Sequence, residues 1–240
     1  MKIVLIGYGK MGKTIERLAL NRNHTITAKI DLENKQILND LSADTVDVAI
    51  EFSRPEAAFE NIKTCLNKGI PVVSGTTGWL DKKKEVTDLC ENHGGTFFYA
   101  SNYSVGVNIF FKLNQWLGKI MNNYPEYKIE MEEIHHTEKL DSPSGTAITL
   151  AEGILKNNEY YKGWTEEKGE KDKIYIGNKR IGTTPGTHTV MYDSAIDSIE
   201  IKHTAHSREG FALGALLVAE WIQDKKGILS MDDFMADSFL

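Results

Sequence analysis

The sequence predicts an α/β protein: a doubly wound parallel sheet in its first hundred residues, followed by a second α+β domain with a mixed sheet. Three observations predict it. Short apolar strands alternate with amphipathic helices from residue 2 to residue 100, a glycine-rich turn separates the first strand from the first helix, and the rhythm changes after Asn102. Short strands joined through helices need right-handed crossovers, and these build a parallel sheet.

Residues 2–6 read as a continuous apolar strand, and Met11, Ile15, Leu18 and Ala19 recur at helical spacing over 10–21. A second strand, 25–30, ends at Asp31, and a third, 46–52, carries the run Val46-Asp47-Val48-Ala49-Ile50. Pro55 opens a helix over 55–67, in the first turn, where its missing N–H costs nothing. Residues 70–74 are strand four, 82–92 a helix and 96–100 strand five. Beyond Asn102 a helix runs from 106 to 121, and alternation then marks a strand over 127–135. A further helix begins near Ser144 and runs to Lys156. The stretch 157–173, with four Glu and four Lys, reads as an exposed loop. Strands are predicted at 187–193 and 198–204, the second with Ile199 and Ile201 on one face. A helix-period segment, 211–223, leads into a short acidic tail, and there is no internal repeat. The expected division is a first domain over 1–104, completed by 212–240, and a second over 105–211.

The 41% hydrophobic and 26% charged content is that of a globular chain and argues against disorder. No apolar run approaches the roughly 18–20 residues of a membrane span. The opening Met1-Lys2-Ile3-Val4-Leu5-Ile6-Gly7 is too short for a signal peptide and runs straight into a turn, so it reads as the first strand; two cysteines outside any motif fit the reducing cytosol, and a cytoplasmic protein is expected. Cys65 and Cys90 form no metal or redox motif and read as core residues. A net charge of −6 with no Lys/Arg stripe argues against nucleic acid as a partner.

Gly7-Tyr8-Gly9-Lys10-Met11-Gly12 is a G-x-G-x-x-G run that follows a strand and opens a helix. Gly7 permits the tight turn, Gly9 lets backbone approach a pyrophosphate, and Gly12 lets helix and strand pack closely. The helix start offers free N–H groups and positive partial charge to phosphates, which places Lys10 and Met11 at a dinucleotide. Asp31, 19 residues beyond Gly12, is where an acid takes the ribose hydroxyls, and a carboxylate there favours NADH over NADPH. Lys29 and Lys35 lie close enough in sequence to soften that preference. Gly75-Thr76-Thr77-Gly78 follows strand four, and Phe52-Ser53-Arg54-Pro55 follows strand three. Both fall at the carboxyl ends of strands, where ligands of open parallel sheets lie.

The richest segment is His135-His136-Thr137-Glu138-Lys139-Leu140-Asp141-Ser142-Pro143-Ser144-Gly145-Thr146. Adjacent histidines at a strand end point to opposite sides. Lys139, in a loop, offers an ammonium that neutralises a carboxylate or donates a proton. Ser144, Gly145 and Thr146 supply hydroxyls and N–H groups at the positive end of a helix, a place for a carboxylate. No metal is expected: two adjacent His with Glu138 do not match a tetrahedral zinc spacing.

These residues resemble those of the dihydrodipicolinate reductase (4-hydroxy-tetrahydrodipicolinate reductase) family over nearly the whole chain. The likeness rests on the glycine loop, on Gly75-Thr76-Thr77-Gly78, on Ala100-Ser101-Asn102-Tyr103-Ser104-Val105-Gly106-Val107-Asn108, and most specifically on Glu133-Ile134-His135-His136 through Lys139 to Thr146. The resemblance implies an NAD(P)H-dependent reductase of lysine and diaminopimelate biosynthesis. His135 and Lys139 would be the catalytic pair, with Lys139 the proton donor. His136, Lys139, Ser144, Gly145 and Thr146 would hold the carboxylates of a small dianionic heterocycle, facing the nicotinamide. Ser101, Asn102 and Tyr103 would join Phe52, Ser53, Gly75, Thr76 and Thr77 around the coenzyme. It also implies a homotetramer built through the second domain's sheet. Departures are a short glycine loop, Thr137-Glu138 in place of basic residues, Leu32 in place of an arginine, and a shortened second domain around 173–185. Arg208 and Phe211 match family positions near the coenzyme.

Two other readings fit parts of the chain. Another two-domain NAD(P) reductase of small amino or keto acids, if of the aspartate-semialdehyde type, would need a nucleophilic cysteine at a helix start, and Cys65 and Cys90 lie within predicted helices. A non-catalytic NAD(H)-binding redox sensor would keep the glycine loop and Asp31 but have no use for the His-His-Lys and Ser-Gly-Thr groups.

Overall fold

The structure is a computed structural model that describes residues 1–238. Its first elements are β1 (Lys2–Ile6), α1 (Lys10–Asn21), β2 (Thr25–Ile30), β3 (Val48–Glu51), α2 (Pro55–Asn67), β4 (Val72–Ser74), α3 (Lys83–Asn92) and β5 (Thr96–Tyr99). β3 and β4 start later than their apolar runs suggest, because Val46 and Ile70 are buried in the connections leading in. The chain continues with α4 (Val105–Met121), β6 (Lys128–His135), α5 (Gly145–Leu155), β7 (Gly163–Thr165), β8 (Lys173–Arg180), β9 (Gly186–Asp193) and β10 (Ser198–Ala205). It closes with α6 (Glu209–Trp221), β11 (Gly227–Leu229) and α7 (Met231–Ser238). The elements group into two units, Met1–Val105 with the chain from Glu209 on, and Gly106–Arg208. No helix among the described residues is long and apolar enough to cross a membrane.

The first unit is a six-stranded sheet in the order β11-β5-β4-β3-β1-β2, parallel at every pairing. Strand pleat divides its apolar side chains between two cores. Ile3, Leu5, Val48 and Ile50 face a cluster completed by Ile15, Ala215, Leu216 and Phe234 from α1, α6 and α7. Val4, Ile6, Ala49 and Val72 face the other, with Ile62, Leu66, Val86 and Cys90 from α2 and α3. A strand covered on both faces has no polar alternation, which is why β1 and β3 read as unbroken apolar runs. Cys65 and Cys90 are free and fully buried, and burial pushes the Cys65 thiol up to about 12.

The second unit carries a five-stranded mixed sheet, β10-β9-β6-β8-β7, in which β6, β8 and β7 run parallel and β9 and β10 antiparallel to their neighbours. One face packs Ile129, Met131, Ile174, Ile176, Val190 and Tyr192 against Phe110, Leu150 and Ile154.

One expectation needs correction. The polar segment 157–173 is not all loop, since it contains β7 and runs into β8, which ends at Arg180. The acidic tail is structured: β11 pairs with β5 at the sheet edge, and α7 buries Met231, Phe234 and Met235 beneath its first-turn aspartates.

Candidate active site

The three glycines of the first turn do different things. Gly7 has φ +91°, donates its N–H to the Ile30 carbonyl at 2.8 Å, and a Cβ there would lie 2.0 Å from the Phe52 carbonyl oxygen. Only glycine fits. A Cβ at Gly12 would lie 2.4 Å from the Gly7 carbonyl oxygen, so helix and turn pack with no room for a methyl group. Gly9, the residue before α1, faces open space, with nothing beyond its chain neighbours within 4 Å of where its Cβ would be. The first turn of α1 has no side-chain cap and no acidic residue, so its N–H groups and dipole are uncompensated.

Gly7 and Gly9 line a cavity of about 240 Å³ together with Asp31, Lys35, Phe52, Ser53 and Arg54. Asp31 is exposed at the end of β2, and one of its oxygens accepts the Leu32 N–H at 2.8 Å. Lys29 is committed elsewhere: it pairs with Glu16 at 2.5 Å and sits over the Tyr8 ring. Lys35 and Arg54 are therefore the cations that face the cavity. This arrangement fits a dinucleotide, because the space a Cβ would take at Gly9 is left open where the helix dipole points.

Sequence reasoning missed Glu51, which closes β3 and is fully buried. Its carboxylate accepts from the Ser53 N–H at 3.0 Å, the Ser53 hydroxyl, the Ser74 hydroxyl at 2.7 Å and the Thr76 hydroxyl at 2.9 Å. Ser53 N–H also donates to Thr76 Oγ1 at 2.8 Å. The loops after β3 and β4 are thus tied to one buried charge. Gly75 allows this, since a Cβ there would lie 2.1 Å from the Phe52 ring. Tyr103 is buried, donates to the Ser74 carbonyl at 2.6 Å and packs on Phe52 and Phe98. Asn102 accepts from the Ser104 N–H at 2.9 Å, while Thr77 and Ser101 are exposed. Lys10, Met11, Gly12, Gly75, Thr76, Thr77, Ser101, Asn102 and Tyr103 lie outside the lining of the cavity.

In the second unit, pleat and register build the site. Ile129 and Met131 point into the core from β6, and the same face continues as Glu133 and His135. Register sets His188 of β9 opposite Glu133, and Arg180 of β8 opposite His135. The end of one sheet face thereby changes from apolar to ionisable. Glu133 accepts the Ser144 N–H at 3.0 Å and Arg180 Nη1 at 3.2 Å. His135 Nδ1 lies 3.7 Å from Glu133 Oε1 and His188 Nε2 lies 3.8 Å from Oε2, too far for hydrogen bonds. Burial alone would push the Glu133 carboxyl up, but His135 and the Ser144 amide and hydroxyl hold it down at about 2. Burial and the neighbouring His135 push His188 down to about 4, leaving it neutral at pH 7. A carboxylate facing His135 Nδ1 favours the tautomer protonated there, with the lone pair on Nε2.

Glu133, His135 and His188 bring three ligand atoms within 4.8 Å of one another, a set different from the adjacent histidines and Glu138. Arg180 and the Ser144 amide already occupy the Glu133 oxygens, and a guanidinium beside the carboxylate repels a further cation. The cluster is better suited to hold histidines than a metal.

Ser144 is the N-cap of α5: its hydroxyl accepts from Ala147 N–H at 3.2 Å and lies 3.1 Å from His188 Nε2. The hydroxyl is used internally, whereas the first-turn amides of Gly145 and Thr146 have no intrahelical acceptor. Gly145 is exposed with nothing within 4 Å of its Cβ position. Lys139 is in a loop, its ammonium held by both oxygens of Asp141 at 2.8 and 2.7 Å, a pairing that keeps the Asp141 carboxyl below the ordinary range. His136 Nε2 lies 3.3 Å from Arg208 Nη2, and the two line a cavity of about 290 Å³ with Glu138. The structure thus brings His135, Ser144, Glu133, His188 and Arg180 into one network.

Profiles described as "Dihydrodipicolinate reductase, N-terminus" and "Dihydrodipicolinate reductase, C-terminus" match residues 1–103 and 106–235. The chain belongs to the dihydrodipicolinate reductase family. It is 53% identical over 241 residues to a 4-hydroxy-tetrahydrodipicolinate reductase of Christiangramia forsetii, covering 100% of this chain and 99% of the relative. It is 35% identical to one of Methanoregula boonei, covering 98% and 97%. Its fold is similar to a solved dipicolinate-bound dihydrodipicolinate reductase from Paenisporosarcina sp. TG-14, with TM-score 0.79, 23% identity, and 96% and 97% coverage. Against this family pattern, the residues the sequence reading left without a role are Glu51, Glu133, Arg180 and His188. Alternation carried a signal for Glu133, since it shares its face with Ile129 and Met131. His188 and Arg180 had none, because only strand register brings them there.

Proposed function

We propose that this chain is a 4-hydroxy-tetrahydrodipicolinate reductase, converting 4-hydroxy-tetrahydrodipicolinate, NAD(P)H and a proton to tetrahydrodipicolinate, water and NAD(P)+ in lysine and diaminopimelate biosynthesis. The observation that carries the reading is the polar end of the β6 face, where a buried carboxylate orients histidines beside a lysine loop and a helix start. The coenzyme supplies hydride. Gly7, Gly9 and the start of α1 would hold its phosphates, Asp31 the adenosine ribose, and the Ser53 and Thr76 loops the nicotinamide side.

The open amides of Gly145 and Thr146, with His136, would hold the substrate carboxylates. Ser144 serves chiefly by capping α5 and so aiming those amides. Lys139, released from Asp141 by a dianion, would place a proton at the ring nitrogen, where negative charge develops. His135, its Nδ1 turned to Glu133, would complete the catalytic pair. Support for a homotetramer is the outer face of the five-stranded sheet, where Glu130, Glu132, Tyr175, Thr189 and Met191 line an open groove. A cytoplasmic biosynthetic enzyme is the fitting context.

The test is to add enzymatically generated hydroxy-tetrahydrodipicolinate to protein and NADH and follow reduced-nicotinamide absorbance. A fall supports the reductase, whereas a fluorescence change with constant absorbance would leave only an NAD(H)-binding sensor. Lys139→Ala should lower turnover by about 10²–10⁴-fold while NADH affinity stays near wild type. Loss of both together would make Lys139 a folding or coenzyme residue. In side-by-side assays, Asp31→Ala should weaken NADH roughly tenfold and NADPH less, since a carboxylate bonds the free ribose and repels a 2′-phosphate. Equal weakening would remove Asp31 from the ribose.

A further inference from the structure

We infer that Arg180 is a positioning residue for the reaction, whose guanidinium fixes the backbone of the loop between β6 and α5 and thereby the place of the Lys139 ammonium. The inference rests on the proposed role of Lys139 as proton donor. Arg180 is the last residue of β8, opposite His135 in the register, with a mostly buried side chain. Its Nε donates to the Lys139 carbonyl at 3.3 Å and its Nη2 to the Asp141 carbonyl at 2.8 Å. Its Nη1 donates to Glu133 Oε1 and to the Lys179 carbonyl, each at 3.2 Å. One planar group therefore grips the loop on both sides of Leu140 and anchors that grip on the buried carboxylate facing His135.

Around its tip the loop has few other anchors. Leu140 at its tip is 97% exposed and gives no apolar anchor. Before the grip, Lys139 N–H donates to the His136 carbonyl at 3.2 Å and Thr137 N–H to the Gly182 carbonyl at 3.1 Å. After it, Ser142 Oγ donates to Glu166 at 2.5 Å, and the Ser144 N–H at the start of α5 donates to Glu133 at 3.0 Å. The Lys139 ammonium has a long flexible stem, so its reach to a substrate atom depends on where the backbone starts. Arginine suits this task because its rigid fork presents donors in several fixed directions at once. A lysine carries the same charge on a single nitrogen and spans neither the two carbonyls nor the gap to Glu133.

The decisive variant is Arg180→Lys, which keeps a positive charge near Glu133 and removes the fork. We expect a melting temperature and NADH affinity near wild type, kcat lowered by about 10–100-fold, and a pH–kcat profile displaced relative to wild type, because the proton donor has moved. A second measurement uses Arg180→Ala in the full-length protein: adding guanidinium at millimolar concentration should restore part of kcat, and sodium chloride at the same ionic strength should not. A purely structural role would lower melting temperature and NADH affinity together with kcat and show no guanidinium rescue, overturning the inference. So would an Arg180→Lys enzyme with wild-type kcat and pH profile. Lys139→Ala run alongside separates the two ideas. If it is inactive while Arg180→Lys is normal, only the positioning role fails. If it turns over normally, the reading of Lys139 fails and this inference with it.

Discussion

A methyl group added at Gly9 would meet nothing beyond its chain neighbours within 4 Å, whereas one at Gly7 would lie 2.0 Å from the Phe52 carbonyl oxygen. Two glycines separated by one residue are thus held for opposite reasons, one by the protein and one by what the protein is expected to bind. Gly9 has φ −81° and ψ −155°, which alanine adopts without strain, while Gly7 has φ +91°, which alanine does not. Gly9→Ala should therefore fold with a melting temperature at or slightly above wild type, since alanine restricts the unfolded chain. Its NADH affinity should fall at least tenfold, roughly 1.4 kcal/mol, because the added carbon sits where a pyrophosphate would approach. Gly7→Ala should cost about 3 kcal/mol or more through clash and backbone strain together. Thermal melts and fluorescence titrations of both variants check this. Unchanged NADH binding by Gly9→Ala would place the pyrophosphate elsewhere.

Between elements, a single carboxylate does what sequence motifs do not reveal. Glu51 ends β3, yet its partners Ser53, Ser74 and Thr76 belong to the loop that follows and to β4 and its loop. Glu51→Ala leaves the buried Ser74 and Thr76 hydroxyls without their acceptor and should cost about 3 kcal/mol in urea unfolding, with a rise in NADH Kd as the Ser53 and Thr76 loops loosen. Glu51→Gln keeps an oxygen for the Ser53 amide and lets the Ser74 hydroxyl rotate to accept, so it should cost about 1 kcal/mol. Equal NADH affinity in the alanine variant would show that the loops are fixed by other contacts. Glu51 was illegible in sequence because it sits in an apolar run, and its partners are set by the parallel neighbour. The same physics separates the elements that were legible from those that were not. β1, α1 and α2 announce themselves by unbroken apolar runs or regular helical spacing. β8 offers only Ile174 and Ile176 before turning to Gly-Asn-Lys-Arg, and that polar end is the part that reaches the site. In α7, the spacing of Met231, Phe234 and Met235 is masked by Asp232 and Asp233, which favour the helix start. Lys139 and the start of α5 were readable because they are contiguous; His188 and Arg180 were not, because they are neighbours only through the sheet.

For the whole molecule, two acid-titrating effects compete. Acidification takes the net charge from −6 to zero near pH 5.7, which relieves repulsion among mostly exposed groups already screened by water and salt, a small gain that reverses below that pH as positive charge builds up. The buried cluster in the second unit acts the other way. His188 is 5% exposed and its folded pKa is about 4, against about 6.5 for an unfolded histidine. The unfolded state therefore takes up a proton first. The stability that neutral His188 confers is complete above about pH 6.5 and is lost as pH falls toward 4, on the order of 3 kcal/mol. Glu133, held at about 2 against about 4.3 when unfolded, contributes stability that is present above about pH 4.3 and lost below it. Since total stability is only about 5–15 kcal/mol, the buried pair outweighs the surface charge. The denaturation midpoint should accordingly fall steadily between pH 6.5 and 4, then more steeply below. His188→Gln, whose amide still reaches the Ser144 hydroxyl but does not titrate, should flatten the first part of that fall and leave the second. Urea unfolding followed by tryptophan fluorescence at a series of pH values measures it. An unaltered slope in His188→Gln between pH 6.5 and 4 would mean that the protons responsible bind elsewhere in the fold.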